Sequence, residues 1–330
     1  MSVNALAGAS PRGESTLLQS LPVPVRRAIL AEVANDGAVN DVSRTNSDDG
    51  DVIYDVDFTR GRKSRNMTVA LDGRLLDIQV YLSETPLGVQ KALAGLSQGG
   101  QLGDIAKDIG LYEDFTYEAE ITRGGVSRNY TLDDDGGVLE RQVFLEELPS
   151  GAQAAVTSKL AGAVLRGITE RTDEDGVNYE TAMNRSGTNR TFSVSTNGQM
   201  LEEQVFLPEI PGAVQKAVLA QGRRGHLGKI NKSADGGKDY YEVEIRIGAN
   251  TGRVTFDGGG VVDSEEEEMA WATVPTPVRT VLLPLKAADE VVDDVTRTTE
   301  GTNTCFEVEL RKGRFRRSIT FTPEGKVVPP

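Results

Sequence analysis

The chain has 330 residues, a net charge of −14, one cysteine and one histidine. The acid excess works against nucleic acid and anionic membranes as partners, because phosphates attract Lys and Arg. A single cysteine excludes an intrachain disulfide, the histidine and cysteine counts exclude a His/Cys zinc site, and no apolar run approaches the ~20 residues that span a bilayer.

The chain opens MSVNALAGASPRGEST, with neither a basic start nor an apolar stretch. It reads as carrying no intact signal peptide, and ALAGAS fits the small-residue remnant of a trimmed one.

From there one pattern recurs. A Pro-x-x-Val/Ala-x-x-Ala/Val-apolar frame begins at Pro22, Pro86, Pro149, Pro211 and Pro275, with spacings of 64, 63, 62 and 64 residues. Proline at the first helical position has its φ already set and gives up no needed hydrogen bond. The apolar residues that follow share one helical face, as Val89, Ala92 and Leu93 do, and again Val214, Ala217 and Val218. Each frame predicts a short amphipathic helix.

After each helix the pattern predicts a short first strand, around VNDVSR or LGDIAK, and then a three-stranded meander. The meander opens with IYDVDF (53–58), TYEAEI (116–121), NYETAM (178–183), YYEVEI (240–245) and CFEVEL (305–310). Period-two alternation sends Tyr54, Val56 and Phe58 to one face and Asp55 and Asp57 to the other. A turn rich in Arg and Lys leads to a strand such as NMTVA or TFSVS. A tight turn follows, Asp-Gly at Asp72, Asp135 and Asp257, Asn-Gly at Asn197 and Glu-Gly at Glu324. The last strand reads LDIQVYL, LERQVFL or LEEQVFL and runs into the next proline.

The expected fold is α+β, with five tandem units, each a helix packed on a four-stranded antiparallel sheet. The expected boundaries are an N-terminal segment 1–18, then 19–84, 85–147, 148–209, 210–273 and 274–330. Units this small are marginal alone and gain burial from neighbours. ESTLLQSLP near the N-terminus matches the tail of a last strand, and GKVVPP at the other end truncates one. Between Asp257 and Pro275 lie four extra residues, including SEEEEM (264–269), which predicts a bulge or loop in the fourth unit's last strand.

A helix and antiparallel meander ending DG-x-L-x-x-x-V-x-L, with YEVEI in the middle, resembles the PepSY and PepSY-like (beta-lactamase-inhibitor-like) domains over about residues 15–330. The resemblance implies a helix against a four-stranded sheet, a secreted or periplasmic location (a cytoplasmic one stays open), and a non-enzymatic role. Members of that group occur in propeptides of thermolysin-type metalloproteases, which they hold or inhibit. The beta-lactamase inhibitory protein binds its target on a concave sheet surface. No active-site residue set carries over, and no cofactor is implied.

The residues themselves also argue against catalysis. His226 reads as a loop residue, Cys305 as a tolerant strand position, and neither has the positioned partner that nucleophilic chemistry needs. The acidic stretches NSDDGDV (46–52), LDDDGGV (132–138) and RTDEDGV (171–177) lack the spacing of a calcium loop and read as turns, with a weak cation site as the alternative. Glu118, Glu120, Glu242 and Glu244 recur as a solvated strand face. If Val80 and Leu82 point inward, Tyr81, Phe144 and Phe206 point outward onto that face as candidate protein-binding anchors, or else pack under the linker into the next helix. Trp271 falls at the inward position. The leading expectation is a protein-binding module with a basic partner, an inhibitor or chaperone of an extracellular enzyme. The alternative is a filament-forming envelope or matrix subunit that self-associates by strand donation.

Overall fold

The structure is a computed structural model that describes residues 16–34, 37–46, 52–109, 115–173, 176–223, 225–247, 250–288, 290–312 and 315–329. The chain enters through α1 (Thr16–Gln19) and α2 (Val23–Val33), then β1 (Ala38–Asn46), β2 (Val52–Arg60), β3 (Lys63–Ala70) and β4 (Leu75–Val80). A 3-10 turn over Leu82–Glu84 leads to α3 (Leu87–Leu96), β5 (Gln101–Ile109), β6 (Phe115–Arg123), β7 (Val126–Leu132) and β8 (Val138–Val143). The order repeats through a turn at Leu145–Glu147, α4 (Ser150–Leu160), β9 (Val164–Asp173), β10 (Gly176–Arg185), β11 (Thr188–Ser195) and β12 (Met200–Val205). Next come a turn at Leu207–Glu209, α5 (Gly212–Gln221), β13 (His226–Asp235), β14 (Lys238–Ile247), β15 (Asn250–Asp257) and β16 (Val262–Glu268). A turn at Trp271–Thr273, α6 (Thr276–Leu285), β17 (Val291–Glu300), β18 (Asn303–Lys312), β19 (Phe315–Phe321) and β20 (Val327–Val328) close the chain.

The expectation of five separate four-stranded sheets is corrected by the strand pairing. Among the described residues, all twenty strands belong to one antiparallel sheet. The last strand of each unit pairs with the first strand of the next: β4 with β5, β8 with β9, β12 with β13 and β16 with β17. A strand edge leaves its N–H and C=O groups unpaired, so adjacent units satisfy each other's edges. The first strands are also longer than expected, nine or ten residues each.

The core divides into five clusters on the helix side of this sheet. In the first, Val25, Ile29 and Val33 of α2 meet Tyr54, Val56 and Phe58 of β2 and Met67 and Val69 of β3. Val89 and Leu93 of α3, Val214 and Val218 of α5, and Val278 and Leu282 of α6 repeat the helical spacing, and all are fully buried. Burying each such side chain contributes about 1.5–3 kcal/mol. Each frame proline is the residue before the helix rather than its first residue, with φ between −52° and −55° and an extended ψ.

The turn glycine ties each helix to its own sheet. Gly73 has φ +91°, and a Cβ there would lie 2.7 Å from the Pro24 backbone. Gly136 lies equally close to Gly88, Gly198 to Gly151, Gly260 to Ala213 and Gly325 to Pro277. This glycine corrects the reading of the fourth unit. Its counterpart there is Gly260, not the residue after Asp257. From Gly73, Gly136 and Gly198 to the next frame proline is thirteen residues, and from Gly260 to Pro275 fifteen, so the insertion is two residues. β16 is one residue longer than β4, β8 and β12; it pairs with β15 through a bulge between Thr255 and Phe256 and in unbroken register with β17, so the expected bulge is present and the strand does not loop out. Residues 16–19 are helical, where the tails of β4 and β8 run into 3-10 turns at Leu82–Glu84 and Leu145–Glu147; the rest of the expected N-terminal segment, residues 1–15, lies outside the described residues.

Candidate functional site

Strand parity builds two chemically different faces. Inward positions meet the helices. Outward positions carry Asp55, Asp57, Asp77, Asp108, Glu118, Glu120, Glu140, Glu180, Glu202, Glu242 and Glu244, interleaved with Thr, Ser and Asn. Glu118 stands opposite Thr131, and Glu242 opposite Thr255. Glu118, Glu120, Glu242 and Glu244 stand at outward positions of this face, the first two exposed and the last two half-buried. Glu118 and Glu120 line a shallow depression with Asn66, Gln79, Asp104 and Asn129 across the β4–β5 junction.

The arginines that interrupt the outer face are engaged by its carboxylates. Arg171 lies 2.9 Å from Glu140 and 2.5 Å from Glu180, Arg246 3.4 Å from Glu244, and Arg253 4.0 Å from Glu266. The first junction differs. Asp77 pairs in register with Asp108, and among the described residues no ion pair reaches Asp55, Asp77, Asp108 or Glu118. Partial burial on the sheet raises the Asp108 carboxyl to about 6, and the charges of Glu118 and Asp77 add to it. Asp77 and Glu118 are raised for the same first reason, with Asp55 adding to Asp77 and Glu140 and Asp77 to Glu118. Farther along, burial likewise raises Glu202, Glu242 and Glu268.

Tyr81, Phe144 and Phe206 are placed elsewhere. Each is half-buried at the head of a 3-10 turn, beneath an arginine of the helix-side face. The Arg65 guanidinium lies 4.8 Å from the Tyr81 ring centre, and Arg128 and Arg190 lie 4.6 Å from Phe144 and Phe206. The same arginines hold Glu84, Glu147 and Glu209 in paired hydrogen bonds of 2.5–2.9 Å. Each glutamate accepts back from the N–H of its aromatic, at 2.9 Å. The cluster fastens the linker down, and planar guanidinium suits both the ring and the carboxylate. The paired strand ends at Val80, Tyr81 itself is still extended, and its ring lies against the arginine of the helix-side face, nearer to packing beneath the linker than to an outward anchor. The fourth unit lacks the cluster: Gly252 stands opposite Ile245, where Arg128 stands opposite Ile121, and Ala270 heads its turn.

The remaining candidates have structural places. His226 is the exposed first residue of β13, paired with Arg246, not a loop residue. Cys305 lies half-buried on β18, its thiol pushed up by burial and by Glu300 and Glu307, the reverse of an activated thiolate. Asp133 accepts from the N–H groups of Asp135 and Gly137 at 3.0 and 2.7 Å, so its carboxylate serves the turn. Parts of 46–52 and 171–177 fall outside the described residues. Among the described residues no cluster of potential metal ligands occurs, and no helix is long and apolar enough to cross a membrane. Trp271 is partly buried against the fifth cluster, at the inward position expected.

No family model matches this chain, and no curated protein does. Several solved structures are similar over part of it. A protein of Bacteroides eggerthii DSM 20697 described as periplasmic is 22% identical over 36% of this chain and 86% of its own, with a TM-score of 0.32. A DUF2874 family protein of Bacteroides ovatus ATCC 8483 is 18% identical over 36% and 85%, also at 0.32. A BLIP-like protein of Bacteroides fragilis NCTC 9343 is 21% identical over 36% and 84%, at 0.30.

Proposed function

We propose that this chain is a non-enzymatic protein-binding module that engages a basic partner through the outer face of its sheet. The observation that carries the reading is the set of carboxylates at the first junction, Asp55, Asp77, Asp108 and Glu118, crowded together on an open face with no described cation. Lysine or arginine from a partner would relieve their mutual repulsion, and an acidic field speeds encounter with a basic surface. The flanking Thr and Asn side chains offer neutral hydrogen bonds around the charged centre. The resemblance to PepSY-like units adds the finer reading, inhibition or chaperoning of an extracellular enzyme from a secreted or periplasmic location.

The test is enrichment of partners with two altered chains. One carries Glu118→Gln, Glu120→Gln, Glu242→Gln and Glu244→Gln; the other carries Tyr81→Ser, Phe144→Ser and Phe206→Ser. A basic protein kept by the wild type and the second chain but lost by the first supports the outer face. Loss with the aromatic changes alone moves the site to the helix side and overturns the reading.

A further inference from the structure

Four times in this chain the outer edge of a unit's first strand is covered by the last strand of the unit before. The registers match. Val80 faces Ile105, Val143 faces Ile168 and Val205 faces Ile230. At the fourth junction the Met269 N–H donates to the Val295 carbonyl at 2.9 Å. Each incoming side chain joins the next core: Val80, Val143, Val205 and Met269 pack in the clusters built on α3, α4, α5 and α6. Under this cover Ile105, Ile168, Ile230 and Val295 are all buried.

β1 is the same element without the cover. Among the described residues it pairs with β2 alone. Val42 stands opposite Val56 as Ile105 stands opposite Ala119, yet Val42 is only half-buried, and Ser43, Arg44 and Thr45 beside it are exposed. Leu18, four residues before Pro22, fills the first cluster as Leu82 and Leu145 fill theirs. Two residues earlier, where the junctions carry their valine, stands Thr16, already in α1.

We infer that the free edge of β1 accepts an extended strand from a partner polypeptide. The strand runs antiparallel against residues 42–45, with a valine or similar aliphatic side chain opposite Val42. Main-chain hydrogen bonds supply affinity, and the alternate side chains supply selectivity. The internal junctions specify the occupant further, since Gln79, Gln142 and Gln204 each precede the valine. This inference stands apart from the acidic face; either site can fail without the other.

The probe is a capped, fluorescent peptide with the sequence of residues 138–144, VLERQVF, titrated into the full chain while backbone hydrogen exchange is followed. Saturable binding with slowed exchange at residues 42–45 is expected. Replacing the peptide valine by Asp should weaken binding about tenfold or more, the worth of one buried valine. Three results would overturn the inference: no binding at millimolar peptide, slowed exchange at β20 or at an internal junction instead, or binding that appears only after residues 1–15 are removed.

Discussion

Asp77 and Asp108 stand directly opposite one another where β4 pairs with β5. Like charges in register across two strands destabilise the pairing. At the next junction the equivalent positions are Glu140 and Arg171, a bridge of 2.9 Å. The first junction therefore keeps a repulsion that the second has neutralised, and functional surfaces are where such local costs persist.

Asp108→Asn is expected to stabilise the fold at pH 7.5 by on the order of 1 kcal/mol, with allowance for screening on a half-exposed surface. The sign follows from the raised carboxyl. The folded state holds its proton up to about 6, whereas the unfolded value is 3.8. Protonation favours the fold below that window, and the advantage is lost as pH rises from about 4 through 6. Urea unfolding of both chains at pH 7.5 and pH 4 checks this: the gap should close at the lower pH. A basic partner seated between Asp77 and Asp108 should likewise release protons near pH 6, which calorimetry in buffers of different ionisation enthalpy detects.

The clasps around Arg65 and Arg128 work in the opposite direction. Their hydrogen bonds hold Glu84 and Glu147 down to about 2, against an ordinary 4.5. This stability is fully present above about 4.5 and is lost as pH falls toward 2. Thermal melts between pH 2 and 6 should fall less steeply in a chain with Glu84→Gln and Glu147→Gln. Arg65 is itself buried, so Arg65→Ala, read by urea unfolding, should cost about 1–3 kcal/mol.

Thr181 occupies the core position held elsewhere by Val56, Ala119, Val243 and Val308. It is fully buried, and its hydroxyl has no hydrogen-bond partner. Thr181→Val should therefore stabilise the chain by about 1 kcal/mol, visible as a higher urea midpoint at unchanged slope.

Two glycines separate backbone strain from close approach. Gly61 has φ +57° with open space around it, and Gly61→Ala should cost about 1–2 kcal/mol from conformation alone. Gly73→Ala adds a collision with the Pro24 backbone at 2.7 Å and should cost clearly more. Equal losses in parallel denaturant titrations would show that the turn does not bear on α2.

The sequence by itself determined what repeats locally. Proline spacing, the period of Val25, Ile29 and Val33, and the alternation of Tyr54, Val56 and Phe58 are side-chain patterns, and each fixes which face of one helix or strand is buried. Glu118, Glu120, Glu242 and Glu244 could be assigned to the open face for the same reason. Tertiary structure alone decided how units join. The β4–β5 pairing is made by backbone groups, which every residue carries alike, so no side-chain pattern distinguishes one shared sheet from five. For Tyr81, Phe144 and Phe206 the alternation left an outward anchor and packing beneath the linker both open, and the contacts with Arg65, Arg128 and Arg190 on the helix side decide between them. Val42 is legible in the sequence as one more inward valine. That it lacks the covering strand given to Ile105, Ile168, Ile230 and Val295 is a fact of three dimensions, because cover comes from a segment whose partner is set by position in the sheet.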